Sequence, residues 1–409
     1  MKILISAYAC EPNRGSEPGV GWGWATELAK KNEVWIITRD NNKSIIENYL
    51  LEHPERRNDN MHFEYVGVSK RLTFWKKGNR GIRLYYLMWQ KNAYLSARKL
   101  CMKIKFDYVQ HVTFVSYTQP TYMYKLGLPL IWGPVAGGDN IPPSIRIRKT
   151  AKERIAELVR KASQKMLLLT PSIRKTMKHA ELILTATEET KSQFPVKYQR
   201  KIRIMPAIGL VEMPNVECFT RKDTSVKIVM AGRLIFLKAV DLGMEAFKRI
   251  ANQYPETELH ILGEGDRKES LMRIAGDFLN KQIFFDPPVD HDDIYDYYAG
   301  FDIFMNTSLR DSGCMTMMEA MSVGLPCIAV ATGGPGVLLE EFPEARIEPS
   351  DNDQFIMKLA ERLAYYIANQ EKRRLLGNKQ REYIQRAMSY ESKCKWIENY
   401  TTQKEVEKR

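Results

Sequence analysis

Along the chain, short apolar runs alternate with stretches in which apolar residues recur every three or four positions. The apolar runs, rich in β-branched and aromatic residues, predict strands at Lys2–Tyr8, Glu33–Thr38, His62–Val66, Tyr108–Val112, Leu130–Trp132, Leu182–Thr185 and Ile202–Met205. The stretches between most of them read as helices. One is Gly19–Lys30, with Trp22, Trp24 and Leu28 on its buried stripe. The pattern breaks at Pro206–Thr224, where Pro206, Gly209, Pro214 and polar residues intervene. A second set follows, with strands at Val226–Ala231, Glu258–Leu262, Gln282–Phe285, Asp302–Asn306 and Cys327–Ala331 and helices at Asp353–Asn369, Glu371–Met388 and Glu391–Tyr400. Strands separated by helices imply parallel βαβ units, so the chain predicts an α/β protein of two domains.

A length of 409 residues suits two domains, and 44% hydrophobic with 27% charged residues is a globular balance. Six scattered cysteines form no CxxC pair, which argues against a disulfide framework or a zinc site. The start, MKILISAYACEP, reads as a strand and loop rather than a signal peptide, and no apolar run approaches the length of a membrane span. The expectation is a cytoplasmic protein with reduced thiols.

Charge changes that picture in one respect. The net charge of +13 concentrates in Ser69–Lys105, with eleven basic residues and no acidic one, and in Ser144–Lys178, with eleven basic residues against Glu153 and Glu157. Such stretches are solvated faces, nucleic-acid sites or contacts with an anionic membrane surface. No nucleic-acid-binding signature accompanies them. Phe74, Trp75, Tyr85, Tyr86 and Trp89 beside the first stretch favour peripheral attachment to an anionic membrane.

The candidate chemistry centres on Asp302–Thr332, which reads as strand, polar loop, helix, strand. Asp311, Ser312 and Gly313 stand at the loop tip, Glu319 lies two turns into the helix, and Gly324-Leu325-Pro326 ends it. Two carboxylates at this spacing can grip the hydroxyls of one ligand, while the N–H groups between them hold its anionic part. Asp311-x7-Glu319 with the trailing Ala320-Met321-x2-Gly324-x-Pro326 resembles the E-x7-E signature of retaining glycosyltransferases of family 4, with Asp in place of the first Glu. The resemblance implies the GT-B fold, two Rossmann-like parallel-sheet domains facing a cleft. Here these would be 1–208 for the acceptor and 209–388 for the nucleotide-sugar, with 389–409 crossing back to the first.

Further residues follow from the same resemblance. Gly232-Arg233-x4-Lys238, after the strand Val226–Ala231, is similar to the family's Gly-Arg…Lys-Gly, whose basic pair binds a diphosphate; here Ala239 replaces the last Gly. A planar fork and a point charge suit two phosphates. Gly263 and Gly265 match the family's Gly-x-Gly, and Gly15 and Ser16 its N-terminal glycine loop; Ser16 also suits a helix N-cap. Gly313, Cys314, Met315 and Thr316 complete the donor set. His111 ends a strand where the family often places a cleft histidine. Gly137, Gly138 and Asp139 become acceptor candidates because Gly133-Pro134 replaces the family's usual sugar-contacting His.

By this resemblance, Arg233 and Lys238 neutralise the departing diphosphate, Asp311 and the N–H groups of Gly313–Met315 hold the sugar, and Glu319 holds the ribose. No metal and no cofactor are expected, and the anomeric configuration is retained. The implied reaction moves a sugar from a nucleotide-diphosphate sugar to a glycan or lipid-linked acceptor in cell-envelope polysaccharide synthesis. Asp290-His291-Asp292 imitates a metal-binding DxD but precedes a helical pattern, which capping explains. P-loop, zincin and α/β-hydrolase motifs are absent from the sequence. A non-catalytic nucleotide-sugar-binding protein and a nucleotide-sugar epimerase stay open as alternatives.

Overall fold

In the computed structural model the described residues are 1–69, 71, 75, 78, 81–114, 116–216 and 225–408. They gather into two compact units. Met1–Gly138, Ala156–Val211 and Tyr390–Arg409 form the first, and Asp139–Ile155 with Glu212–Ser389 the second.

The first unit is built on a seven-stranded parallel sheet: β1 (Lys2–Ser6), β2 (Glu33–Arg39), β3 (Met61–Val66), β4 (Tyr108–His111), β5 (Leu130–Val135), β6 (Ala180–Thr185) and β7 (Ile202–Ile204). Their order is β3-β2-β1-β4-β5-β6-β7. In register, Ile3 stands between Val34 of β2 and Tyr108 of β4. Successive side chains point to opposite faces, and both faces are covered. Ile3 and Ile5 pack among Trp24, Tyr390 and Ile397, whereas Leu4 packs with Tyr86, Trp89 and Trp132. A strand covered on both sides must be apolar at every position, which explains the continuous runs in the sequence.

The helix Tyr390–Lys408 belongs to this unit. Its Lys393 is buried and donates to the carbonyls of Pro206, at 3.0 Å, and Ile208. Tyr390 fills the space left by Gly23 and Gly209, where an added Cβ would lie 2.3 and 3.1 Å from the ring.

The second unit holds a six-stranded parallel sheet: β8 (Lys227–Ala231), β9 (Glu258–Leu262), β10 (Ile283–Asp286), β11 (Ile303–Asn306), β12 (Cys327–Val330) and β13 (Arg346–Ile347), in the order β10-β9-β8-β11-β12-β13. β13 has only two residues, too few for periodicity to reveal. On β9, the ring of His260 lies between Asp286, 3.0 Å from Nδ1, and Glu258, 3.1 Å from Nε2. Burial opposes the imidazolium, but the bonds to the two carboxylates outweigh it, and its pKa rises above the ordinary histidine value. A raised folded-state pKa stabilises the fold fully below the unfolded value of about 6.5, and the contribution is lost as pH rises through the folded one. Chemical denaturation across pH is therefore expected to show His260→Gln roughly 1–2 kcal/mol less stable than wild type in acid, with the gap closing as pH rises. A gap independent of pH would contradict the assignment.

Three sequence expectations change here. The loop expected from Trp132 onward is strand as far as Val135, because Gly133, with φ +119°, and a cis Pro134 are absorbed as a register shift against β6. The N-cap of the helix Ser16–Ala29 is Gly15, not Ser16, whose side chain lies outside the described residues. The aromatic row expected at a membrane is divided. Tyr86 and Trp89 are fully buried on the helix Ile82–Cys101, where they pack against Tyr8. That helix's apolar face is needed by its own sheet. Lys70, Phe74, Lys76, Lys77 and Arg80 lie outside the described residues.

Candidate active site

The strand order of the second sheet reverses between β8 and β11, which lie side by side. Loops leaving the carboxyl ends of two such strands diverge to opposite faces and open a crevice in which open α/β sheets bind ligands. The loop after β8 carries Gly232, Arg233 and Lys238; the loop after β11 carries Thr307–Cys314.

The β8 loop is fixed by backbone contact. Gly232, at φ +141°, donates its N–H to the Leu262 carbonyl at 3.0 Å, and the Leu234 N–H donates to the Glu264 carbonyl at 2.8 Å. Gly263 and Gly265 lie directly behind it. A Cβ at Gly263 would sit 1.9 Å from the Gly232 carbonyl oxygen, and one at Gly265 would sit 2.2 Å from that of Leu234. Both glycines are thus needed for loop-to-loop packing. Arg233 is exposed, whereas Lys238 is half-buried at the end of a short 3-10 turn, Phe236–Lys238. Ala239 has φ +45°, the left-handed conformation a glycine adopts freely. Thr307 Oγ1 donates to the carbonyls of Lys238 and Ala239, both at 2.9 Å, and so ties the two loops together.

Lys238 Nζ donates to Asp311 Oδ2. The other carboxylate oxygen accepts the N–H groups of Gly313, at 3.2 Å, and Cys314, at 3.1 Å. Burial by itself would raise the Asp311 pKa, yet Lys238 and these two donors outweigh it and hold the carboxyl below its ordinary range. This corrects one expectation: the N–H groups of Gly313 and Cys314 point at Asp311 itself. A short Asp side chain at the loop tip folds back onto the turn, as Asx turns do. Cys314 is the N-cap of the helix Met315–Ser322, in the left-handed conformation at φ +53°, and burial pushes its thiol well above the ordinary range. It is not a thiolate nucleophile.

Glu319 is buried in that helix, one turn beyond Thr316, whose hydroxyl donates to the Ala231 carbonyl at 3.3 Å. Tyr295 is pushed up to about 12 by burial and by the Glu319 charge. The far side of the Asp311 loop is held from two directions. Gly334 N–H donates to the Asp311 carbonyl at 2.6 Å, and the Ser312 hydroxyl donates to the buried carboxylate of Asp139. Gly333, at φ +54°, leaves room for both: a Cβ would come within 2.8 Å of the Asp311 carbonyl oxygen and 3.4 Å of Asp139 Oδ1.

The second unit therefore brings together Gly232, Arg233, Lys238, Gly263, Gly265, Asp311, Gly313, Cys314, Met315, Thr316, Glu319 and Asp139. Asn306, Thr307, Ser308, Gly333 and Gly334 join them without having been singled out in the sequence, whereas Ser312 stood at the expected loop tip. Polar residues directly after an apolar strand, as in Asn306-Thr307-Ser308, were the available signal. Gly15, Gly137, Gly138 and His111 lie in the first unit. Gly137 accepts from Gln164 Nε2 at 2.8 Å, and the Gly138 N–H donates to Thr190 Oγ1 at 3.1 Å. His111 is fully enclosed. Its Nε2 is 2.6 Å from the Tyr86 hydroxyl and its Nδ1 is 3.0 Å from Ser6 Oγ. Burial draws its pKa down to about 3, so the ring is neutral and joins β1 to β4 within the core. Gly19 and Gly21, unremarked in sequence, admit the preceding loop: a Cβ on either would lie 2.0 Å from the Arg14 or Ala9 carbonyl oxygen.

Residues 217–383, which span this crevice, match the family model for glycosyl transferases group 1. Over these residues, all in the second unit, the chain resembles the group 1 glycosyl transferases. Among curated proteins, a 131-residue segment is 30% identical to a subunit of human phosphatidylinositol N-acetylglucosaminyltransferase, covering 32% of this chain and 27% of that protein. Solved structures extend the likeness to both units. Sucrose-phosphate synthase from Thermosynechococcus elongatus aligns over 99% of each chain at 16% identity with a TM-score of 0.64. A mutant of S. aureus TarM, solved in complex with Fondaparinux, alpha-GlcNAc-glycerol and UDP, aligns over 98% of this chain and 99% of its own, at 14% identity and a TM-score of 0.60. The fold is GT-B, as the sequence motifs implied. No helix among the described residues is long and apolar enough to cross a membrane.

Proposed function

We propose that the chain transfers a sugar from a nucleotide-diphosphate sugar to a glycan or lipid-linked acceptor, with retained anomeric configuration and without a metal, in the synthesis of cell-envelope polysaccharide. The observation that carries this reading is the pairing of Lys238 with Asp311 at the strand-order reversal of the second sheet, with Arg233 exposed on the same loop. A bound diphosphate replaces Asp311 as the main partner of Lys238, and Arg233 adds its fork of donors. As the bond to the anomeric carbon breaks, these fixed charges stabilise the leaving group. Asp311, already ionised and oriented by two N–H groups, accepts hydroxyls of the sugar, and Glu319 takes those of the ribose. The lipid-directed name of the human relative supports a lipid-linked acceptor.

With the diphosphate charge met by side chains, EDTA is expected to leave transfer largely intact. Loss of activity in EDTA, restored by Mg²⁺ or Mn²⁺, would overturn the metal-free route and return Asp290 and Asp292 to consideration. A panel of labelled nucleotide sugars tests the reaction class. Release of nucleoside diphosphate with transfer supports the proposal, binding without release favours a sugar-nucleotide receptor, and formation of an epimer favours an epimerase.

A further inference from the structure

The helix Ala151–Leu168 turns an apolar side to the surface over most of its length. Ile155, Leu158, Val159 and Met166 on it, and Leu169 just past its end, are all between 62 and 71% exposed, and none of its residues is buried. The half-buried side is polar along most of the helix, with Leu167 and Leu168 at its end packed against the core of the first unit. Arg267 grips Glu153 at 2.8 Å, Arg160 bonds Gln164 at 3.0 Å and pairs with Glu157 at 3.4 Å, and Gln164 donates to the Gly137 carbonyl. Within the first unit, the bonds of Arg160 and Gln164 and the packing of Leu167 and Leu168 fix the rotation of the helix, so the exposed apolar side is a built feature.

At 3.6 residues per turn, the apolar positions form one stripe about 100° wide. Lys152 flanks it on one side, and Arg154, Lys161 and Lys165 on the other, all four exposed. An apolar stripe bordered by cations on both sides matches the interface of a bilayer, where acyl chains lie beneath anionic headgroups. A second copy of the chain would bring the same cations face to face, so self-association is disfavoured by charge.

We propose that this helix is a membrane-surface helix. Its apolar stripe enters the boundary between headgroups and acyl chains of an anionic bilayer, and Lys152, Arg154, Lys161 and Lys165 meet the lipid phosphates. This replaces the surface expected around Tyr86 and Trp89, and it does not depend on the proposed reaction. The test is co-sedimentation of the full chain with vesicles of phosphatidylcholine, with or without phosphatidylglycerol. Wild type is expected to bind the anionic vesicles at least about tenfold more tightly than the neutral ones at low salt. The triple variant Leu158→Gln, Val159→Gln, Met166→Gln is expected to weaken that binding by about tenfold or more, with unchanged circular dichroism because all three side chains are exposed. Lys152→Glu with Lys161→Glu and Lys165→Glu is expected to abolish the preference for anionic lipid. Wild type that ignores anionic vesicles, or a glutamine variant that binds like wild type, overturns the proposal. So does a dimer in sedimentation equilibrium that the glutamine variant dissolves, because the stripe is then a contact between copies. Sugar transfer to a soluble acceptor is read separately, so failure of either proposal leaves the other standing.

Discussion

Replacing Lys238 with alanine is expected to lower turnover by roughly 10²–10³, the scale for losing one preorganised charge at a developing anion. The same substitution at Arg233 is expected to have a similar kinetic effect, but the two differ in stability. Arg233 is exposed, so its removal leaves melting and circular dichroism unchanged. Lys238 neutralises Asp311, and both side chains are only 16–20% exposed. Its loss leaves a partly buried carboxylate held by backbone N–H groups alone and is expected to cost about 1–3 kcal/mol. Adding Asp311→Asn to Lys238→Ala removes that stranded charge and is expected to restore much of the stability without restoring turnover. Near-normal turnover in both single variants would remove the diphosphate assignment.

The second large effect is expected from a residue that carries no functional group. Gly263→Ala places a methyl group 1.9 Å from the Gly232 carbonyl oxygen, at a φ of +149° that side chains rarely adopt. The obstacle is backbone, so one of the two loops must move. The expected loss is about 1–3 kcal/mol from overpacking, with left-handed strain added. Movement of the Gly232 loop carries Arg233 with it, and displacement by about 1 Å is enough to lower turnover by around 10²-fold. Gly232→Ala is the control. Its Cβ would meet only Lys238, with Cε at 3.7 Å, so it bears the strain of its φ without the collision. Thermal unfolding and steady-state rates of the two variants check this. Equal behaviour would mean that loop-to-loop packing does not position Arg233.

Much of the fold was legible because parallel strands covered on both faces must be continuously apolar, as Ile3–Leu4–Ile5 and Ile228–Val229–Met230 are. β13 escaped notice because two residues carry no periodicity, and β5 was cut short because Gly133 and Pro134 look like a loop in sequence. In the site, residues that bear charge were visible and residues that bear shape were not. Arg233, Lys238, Asp311 and Glu319 stood out by chemistry and spacing. Gly333 and Gly334 did not, because their purpose is to leave room for Asp139 and the Asp311 carbonyl, which a local window of sequence does not contain. His111 stood at the correct strand end, but only packing reveals that Tyr86, Gln90 and Ser6 enclose it. The helix Ala151–Leu168 is a further case. Its basic and apolar residues were plain in sequence, but which side faces water was settled by the packing of Leu167 and Leu168 and by the bond of Gln164 to Gly137.

The most direct test incubates wild type and Lys238→Ala with labelled nucleotide-diphosphate sugars and a glycan or lipid-linked acceptor, and follows nucleoside diphosphate and the glycosidic product together. The expected result is equimolar nucleoside diphosphate and product from one donor, with the donor's anomeric configuration by NMR, and a rate lower by roughly 10²–10³ in the variant. Donor bound by wild type with neither species formed, whatever the acceptor, would contradict glycosyl transfer.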